Sequence, residues 1–327
     1  MAEPGGSLAV LIPNFNDWES LRLLLPQLDR AIEPLGQKVS VLVVDDASTE
    51  PMPEDWPGRT FSALASIEIL HLRSNQGHQK AIALGLYHLH EFTDAQAVVV
   101  MDGDGEDRPE DVPELLRAFA TGGAGEVVFA ARTRRMESFW FRLGYHAYRL
   151  VHRVLTGVAV QVGNFSVIGR PALARLMAVP DLWNHYAASV FHARLPRKLV
   201  ALPRGRRLAG KSKMNFVSLL MHGLSAIAVF GDQVAARVLT AAVSFTVLAG
   251  LIGLTAGVGA TFAAGLLLLL VVQLVTFATL FAFLIARRRS ALNFLLLRDA
   301  PYFILGQTTV SSSAKTHQAS ASGASSR

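Results

Sequence analysis

Cysteine is absent from the 327-residue sequence, which excludes disulfides and thiolate-bound metal and leaves the redox compartment open. The opening MAEPGGSLAV has neither a basic flank nor a long apolar run. No signal peptide is expected, and any soluble part should stay in the cytoplasm. Acidic side chains are scarce beyond residue 114. Residues 1–114 carry 20 acidic and 7 basic side chains, a net −13, against 5 and 24 in residues 115–327, a net +19. An acidic half can hold a metal ion, and a basic half can attract phosphates or an anionic membrane surface. Nucleic acid is the rival partner for a basic half. It is set aside because the same half contains a long apolar segment.

That segment, residues 238–286, has no Asp, Glu, Lys or Arg. As one helix its 49 residues would run roughly 74 Å, against a hydrocarbon core of about 30 Å. Two passes fit better, with Thr255-Ala256-Gly257-Val258-Gly259 as the turn. Arg237 precedes the first pass, and Arg287, Arg288 and Arg289 follow the second, so both ends read as cytoplasmic. The alternative is a hydrophobic hairpin buried in a soluble core. Residues 214–236 are expected at the membrane surface. Residues 138–155 (SFWFRLGYHAYRLVHRVL) read either as an interfacial helix or as an amphipathic helix packed on its own domain. The tail 308–327, rich in Ser, Ala and Thr without apolar periodicity, is expected to be disordered.

The first half alternates short apolar runs with helical stretches. Strands are expected at Leu8–Ile12, Val39–Val44, Ile67–Leu72 and Ala97–Met101, and helices at Trp18–Ala31 and Gln79–Phe92. This alternation predicts an α/β fold with a mainly parallel sheet, whose ligands bind beyond the carboxyl ends of the strands. The residues there are polar each time: Pro13-Asn14-Phe15-Asn16, Asp45-Asp46-Ala47-Ser48, Arg73-Ser74-Asn75-Gln76-Gly77 and Asp102-Gly103-Asp104. Asp45 and Asp46 can accept hydrogen bonds from a base and a ribose. Asp102 and Asp104 flank a glycine that lets both carboxylates face one point. Hard oxygen ligands suit Mg²⁺ or Mn²⁺ bridging to a diphosphate.

The motifs LIPNFND, VVDDAST, RSNQGHQKAIALG and MDGDGEDRPED, in this order and spacing, resemble those of family 2 glycosyltransferases with the GT-A fold. The resemblance is to the subgroup that acts on polyprenyl phosphate, and it runs from about Leu8 to Arg237. It implies that Pro13, Asn16 and Asp45 line the nucleotide, with Asp46 and Asn75 on the same side and Lys80 near the donor. Asp102 and Asp104 would be the metal-binding pair. Glu106 departs from the family, which often has Gln there, and would add a carboxylate beside the metal.

Residues 194–213 carry eight Lys or Arg and no acid. This is either a solvated charge run or a phosphate site. Within it, Arg207-Leu208-Ala209-Gly210-Lys211-Ser212-Lys213 resembles the subgroup's Arg-x-x-Gly-x-Ser-Lys motif, which implies that Arg207, Ser212 and Lys213 bind an acceptor phosphate. Arg132 and Arg135, after the apolar strand VVFAA, resemble arginines that contact either phosphate. Gly163-Asn164-Phe165-Ser166 lacks the Asp and Arg that relatives often carry there.

The resemblance implies inverting transfer of a sugar from a UDP- or GDP-linked donor to polyprenyl phosphate. Its rivals are a polysaccharide synthase, although Gln233-Val234-Ala235-Ala236-Arg237 lacks the Trp of the Gln-x-x-Arg-Trp motif, and an inactive membrane-tethered nucleotide-binding protein. The expected organisation is a cytoplasmic catalytic domain (1–213), interfacial helices (214–236), a transmembrane hairpin (237–289) and a cytoplasmic C-terminal segment (290–327). The expected location is the plasma (inner) membrane, as a multi-pass protein, with homo-oligomerisation left open.

Overall fold

The computed structural model describes residues 7–58, 60–133, 149–158, 162–210, 216–255, 259–289 and 294–310. In chain order the elements are β1 (Leu8–Asn14), α1 (Trp18–Ile32), β2 (Val39–Asp45), β3 (Leu64–Leu72), α2 (His78–Phe92), β4 (Ala97–Val100), α3 (Val112–Ala120) and β5 (Val127–Thr133). There follow α4 (149–156), β6 (Ser166–Gly169), α5 (Arg170–Met177), α6 (Tyr186–His192) and β7 (Arg197–Pro203). The chain continues with α7 (Phe216–Ala228), α8 (Gly231–Thr255), α9 (Ala260–Arg289), α10 (Leu296–Asp299) and β8 (Ile304–Val310).

One sheet holds all eight strands in the order β7-β5-β6-β4-β1-β2-β3-β8. Its centre, β4-β1-β2-β3, is parallel. β6 enters antiparallel to both β4 and β5, and β7 runs parallel to β5. β1 reads LAVLIPN without a polar break because both of its faces are covered. Alternation then divides it. Ala9 and Leu11 join Leu42 and Val44 under α2, while Val10 and Ile12 join Val41 and Val43 under α1. α1 presents Leu21, Leu24, Leu25, Leu28 and Ile32 to this second layer at helical spacing. α2 lies tightly on the sheet because position 85 is glycine. A Cβ there would collide with the Leu11 side chain and come within 2.7 Å of Val44.

The core beneath α2 continues through Ala226, Ile227, Val229, Phe230, Val234 and Val238 to Phe283, so the base of the α8–α9 pair is packed into the domain. Beyond that base, Gly231–Ile252 and Phe262–Leu284 have mean hydropathies of 1.8 and 2.6 and are long enough to cross a membrane. Only 6% of each apolar window is buried, so this part of the pair is not covered by the domain's own core. Gln273 donates to Thr246 across the pair at 3.3 Å. α4 packs at the base, where Arg237 donates to the Val154 carbonyl (2.8 Å), and it exposes Leu150, Val151 and Val154.

After α9 the chain returns to the domain. β8 pairs antiparallel with β3 from Ile67↔Val310 to Leu72↔Ile304 and forms the edge of the sheet. Residues 308–310, expected to belong to the disordered tail, are therefore strand. The remainder of the tail and residues 138–148 lie outside the described residues.

Candidate active site

The carboxyl ends of β1, β2, β3 and β4 lie side by side and bring the four polar segments to one edge of the sheet. Asn14 and Asp45 are register partners at the ends of β1 and β2, and Pro13 lies opposite Val44. Asp45 is buried. Its Oδ1 accepts the Ser48 N–H (3.2 Å), and its Oδ2 lies 3.3 Å from His71 Nδ1. Asn16 stitches the first two loops together. Its N–H donates to Ser48 (2.8 Å), its amide donates to Thr49 (2.9 Å), and its carbonyl oxygen accepts from Glu50 N–H (2.9 Å). Asn16 and Ala47 both have left-handed backbone (φ 52° and 56°), which costs an alanine about 1 kcal/mol and so marks a tightly specified loop pair.

Asp46 faces the third loop. Its carboxylate accepts the N–H groups of Gln76 (2.6 Å) and Gly77 (2.7 Å), and Asn75 donates to its main-chain carbonyl (3.2 Å). Burial raises the Asp46 pKa. The two N–H groups oppose the rise, and the charge of Asp45 adds to it. Lys80, on the first turn of α2, carries its ammonium 4.9 Å above the Trp183 ring.

The fourth loop carries the acidic pair. The Asp102 N–H donates to the buried Asp107 (2.9 Å), and Asp104 Oδ1 accepts the Glu106 N–H (2.9 Å), so the loop folds back on itself. Each carboxylate faces a cationic or titratable side chain. His78 Nε2 lies 3.2 Å from Asp102 Oδ1 and 3.0 Å from Asn164 Nδ2. Arg207 donates from Nη1 to Asp104 Oδ2 (3.0 Å) and from Nη2 to Asp17. Glu106 pairs with Arg204 (Nε–Oε2 3.0 Å).

Residues 204–208 are thus laid against the acidic loop. Gly205 N–H donates to the Glu106 carbonyl and Leu208 N–H to the Asp104 carbonyl, both at 2.8 Å. Gly105 (φ 87°) permits this approach, because a Cβ there would strike Leu208. Burial raises the Asp104 pKa, and the charges of Asp102 and Glu106 add to that against the pull of Arg207. Desolvation lowers the pKa of His78, but Asp102, Asp107 and Asp104 outweigh it and the net shift is upward.

Asp102 and Asp104 are hard oxygen donors on one loop, the ligand type a divalent cation takes. Burial together with the Asp102 and Glu106 charges raises the Asp104 pKa, so added positive charge there would be favoured. The side chain of Glu106 is held by Arg204. Among the described residues no three His, Asp or Glu side chains converge as a metal site.

The described part of the basic run, residues 194–210, does not gather at one point. Arg197 stacks over Phe191 (4.1 Å), Lys198 donates to Thr121 (3.1 Å), and Arg204 and Arg207 bind acids. Arg132 lies in β5, with its side chain outside the described residues. Arg135, Ser212 and Lys213 lie outside them altogether.

Several residues near the site had no role assigned from sequence. Asn14 is buried, and neither of its side-chain polar atoms has a partner among the described residues. His71 touches Asp45, His78 touches Asp102, and Asp17 shares Arg207 with Asp104. Asp17 and His78 sit inside the motifs LIPNFND and RSNQGHQK, which is the only signal that pointed to them.

The profile of glycosyl transferase family 2 matches residues 9–179, and the chain belongs to that family. Among its relatives is the undecaprenyl-phosphate 4-deoxy-4-formamido-L-arabinose transferase of Enterobacter sp. (strain 638). It is 28% identical over 260 residues, covering 74% of this chain and 76% of the relative. An uncharacterized glycosyltransferase of Bacillus subtilis (strain 168) is 23% identical, covering 69% and 68%. The fold is that of the GT-A glycosyltransferases. Glucosyl-3-phosphoglycerate synthase of Mycobacterium tuberculosis, solved with Mn²⁺, UDP-glucose and phosphoglyceric acid, superposes with a TM-score of 0.52 at 16% identity. The match covers 72% of this chain and 82% of that one.

Proposed function

We propose that this glycosyltransferase moves a sugar from a nucleotide-sugar donor to polyprenyl phosphate at a membrane surface, with inversion at the sugar carbon. The observation that carries the reading is the continuity of the domain that holds Asp45, Asp102 and Asp104 with two exposed apolar helices: one packed core joins them. The 28% identical relative that acts on undecaprenyl phosphate supports the choice of acceptor.

In this reading α8 and α9 span the bilayer, and the exposed apolar face of α4 rests at headgroup level. Asp45, Asn16 and the loop held by Asp46 would receive the nucleoside, with the unpartnered Asn14 amide at the floor. Asp102 and Asp104 would hold Mg²⁺ or Mn²⁺, which when bound neutralises the leaving diphosphate. The metal-bound neighbour and the chemistry of the acid pair support this.

A phosphate monoester acceptor carries about −1.5 to −2 charges at neutral pH, so it attacks without a general base. What the chain must supply is alignment and cationic neutralisation. Arg207 is suited to that task. Its guanidinium, with Ser212 and Lys213, would offer hydrogen bonds and charge to the acceptor phosphate. Arg132 and Arg135 would serve either phosphate.

The test is a panel of UDP- and GDP-linked sugars given to the full chain in detergent with Mn²⁺ and undecaprenyl phosphate. Sugar entering the organic-extractable fraction with one of these donors supports the reading. Donor consumption without lipid labelling contradicts it.

A further inference from the structure

The segment that follows the apolar helices touches the donor side of the site in two places. Along β8, Thr308 Oγ1 lies 3.1 Å from His71 Nε2, and the opposite ring nitrogen of His71 lies 3.3 Å from Asp45 Oδ2. Gln307 clamps the same strand to Glu68 (2.7 Å). Before β8, the Phe303 carbonyl accepts the Arg73 N–H (2.8 Å) at the start of the loop that carries Asn75. Phe294 stacks on Trp183 with ring centroids 4.0 Å apart, and Trp183 in turn carries Lys80.

A neutral imidazole has one N–H and one bare nitrogen. Asp45 is an acceptor, so Nδ1 must carry the hydrogen, and the bare Nε2 must then accept. The Thr308 hydroxyl can donate there and so selects the tautomer that His71 needs to bond Asp45. Ser48 holds the other Asp45 oxygen, which leaves the carboxylate fixed in plane and direction.

We propose that residues 294–310 are a working part of the donor site, and that His71 is a positioning residue whose orientation Thr308 sets and through which Asp45 is aimed at the nucleoside. The inference rests on the reading of Asp45 as a nucleotide-binding residue. It adds that a strand made after the membrane hairpin completes a pocket whose other parts are encoded in the first 110 residues or so.

The test titrates UDP and GDP, each with Mn²⁺, into the full chain in detergent by calorimetry, with melting midpoints and both substrates' KM measured alongside. Thr308 is exposed and valine suits a strand, so Thr308→Val should fold. It should weaken binding of the preferred nucleotide by about two- to tenfold, the range for one lost hydrogen bond. His71→Phe should weaken it at least as much, and Thr308→Ser should match the unaltered chain. Donor KM should rise while lipid KM and the melting midpoint stay put.

Wild-type nucleotide affinity in both Thr308→Val and His71→Phe, with binding lost in Asp45→Asn, would overturn this inference and leave the donor site standing. A fall in affinity only in step with the melting midpoint would reduce the contact to a structural one and overturn it too. Unchanged binding in Asp45→Asn would remove the donor reading itself, and this inference with it.

Discussion

Arg207 reaches across 103 residues of sequence to donate a hydrogen bond to Asp104 at 3.0 Å, and its other terminal nitrogen binds Asp17. The Arg207 guanidinium offsets charge on Asp104 that would otherwise attract a metal ion. Removing Arg207 should therefore tighten Mn²⁺ binding to the nucleotide-free protein, by as much as about ten- to a hundredfold for a charge-assisted contact. The same Arg207→Ala variant should lose a comparable factor in kcat/KM for the lipid, with Arg207→Lys recovering part because the planar fork is gone. Asp104→Asn should abolish transfer and weaken Mn²⁺ binding while leaving the fold intact. Electron paramagnetic titration of Mn²⁺ reads both variants. Unchanged Mn²⁺ affinity in Asp104→Asn would mean that Asp104 is not where the metal binds.

Asp46 holds the loop that precedes α2 through the N–H groups of Gln76 and Gly77. Asp46→Ala removes the acceptor of two part-buried N–H groups and should cost on the order of 1 kcal/mol. A lowered melting midpoint, with Asp46→Asn between the two, is the expected outcome.

His185 is fully enclosed, and its Nδ1 accepts the Ala188 N–H at the start of α6. Burial first, and then the neighbouring His222, His78 and His152, hold its pKa well below the ordinary histidine value. The unfolded chain takes up a proton near pH 6.5 that the folded chain refuses. Stability is therefore lost as the pH falls from about 6.5 toward the depressed folded value. His78, with its raised pKa, works in the opposite sense and loses its contribution as the pH rises. Melting midpoints at about pH 7.5 and about pH 5.5 should differ less in His185→Gln than in the unaltered chain.

In the proposed membrane reading, the pairing of β8 with β3 puts both outer ends of the α8–α9 pair on the side of the catalytic domain. The absence of cysteine makes this simple to check. In membrane vesicles an impermeant maleimide should label Leu295→Cys from the same side as Phe92→Cys, and Gly259→Cys only from the other.

The polar residues at four strand ends were legible because apolar runs mark the strands and a parallel sheet has its ligands at one edge. The hairpin was legible from the missing charges. β8 was not. Its sequence, ILGQTTV, is exposed over Leu305–Thr309 and has no buried stripe to betray a strand, and its partner β3 lies more than 200 residues away. The run of eight basic residues was legible as charge, but charge does not name its partner. Arg204 and Arg207 turn to Glu106 and Asp104 because residues 204–208 happen to cross the acidic loop at Gly105, a contact that no local pattern encodes.

The central claim is that a lipid phosphate is the nucleophile. Its most direct test gives the full chain, Mn²⁺ and the preferred donor either undecaprenyl phosphate or undecaprenol, and reads the intact lipids by mass spectrometry. The account predicts one added sugar on undecaprenyl phosphate and none on the alcohol. Equal glycosylation of the alcohol, or a growing polymer with neither lipid modified, would contradict it.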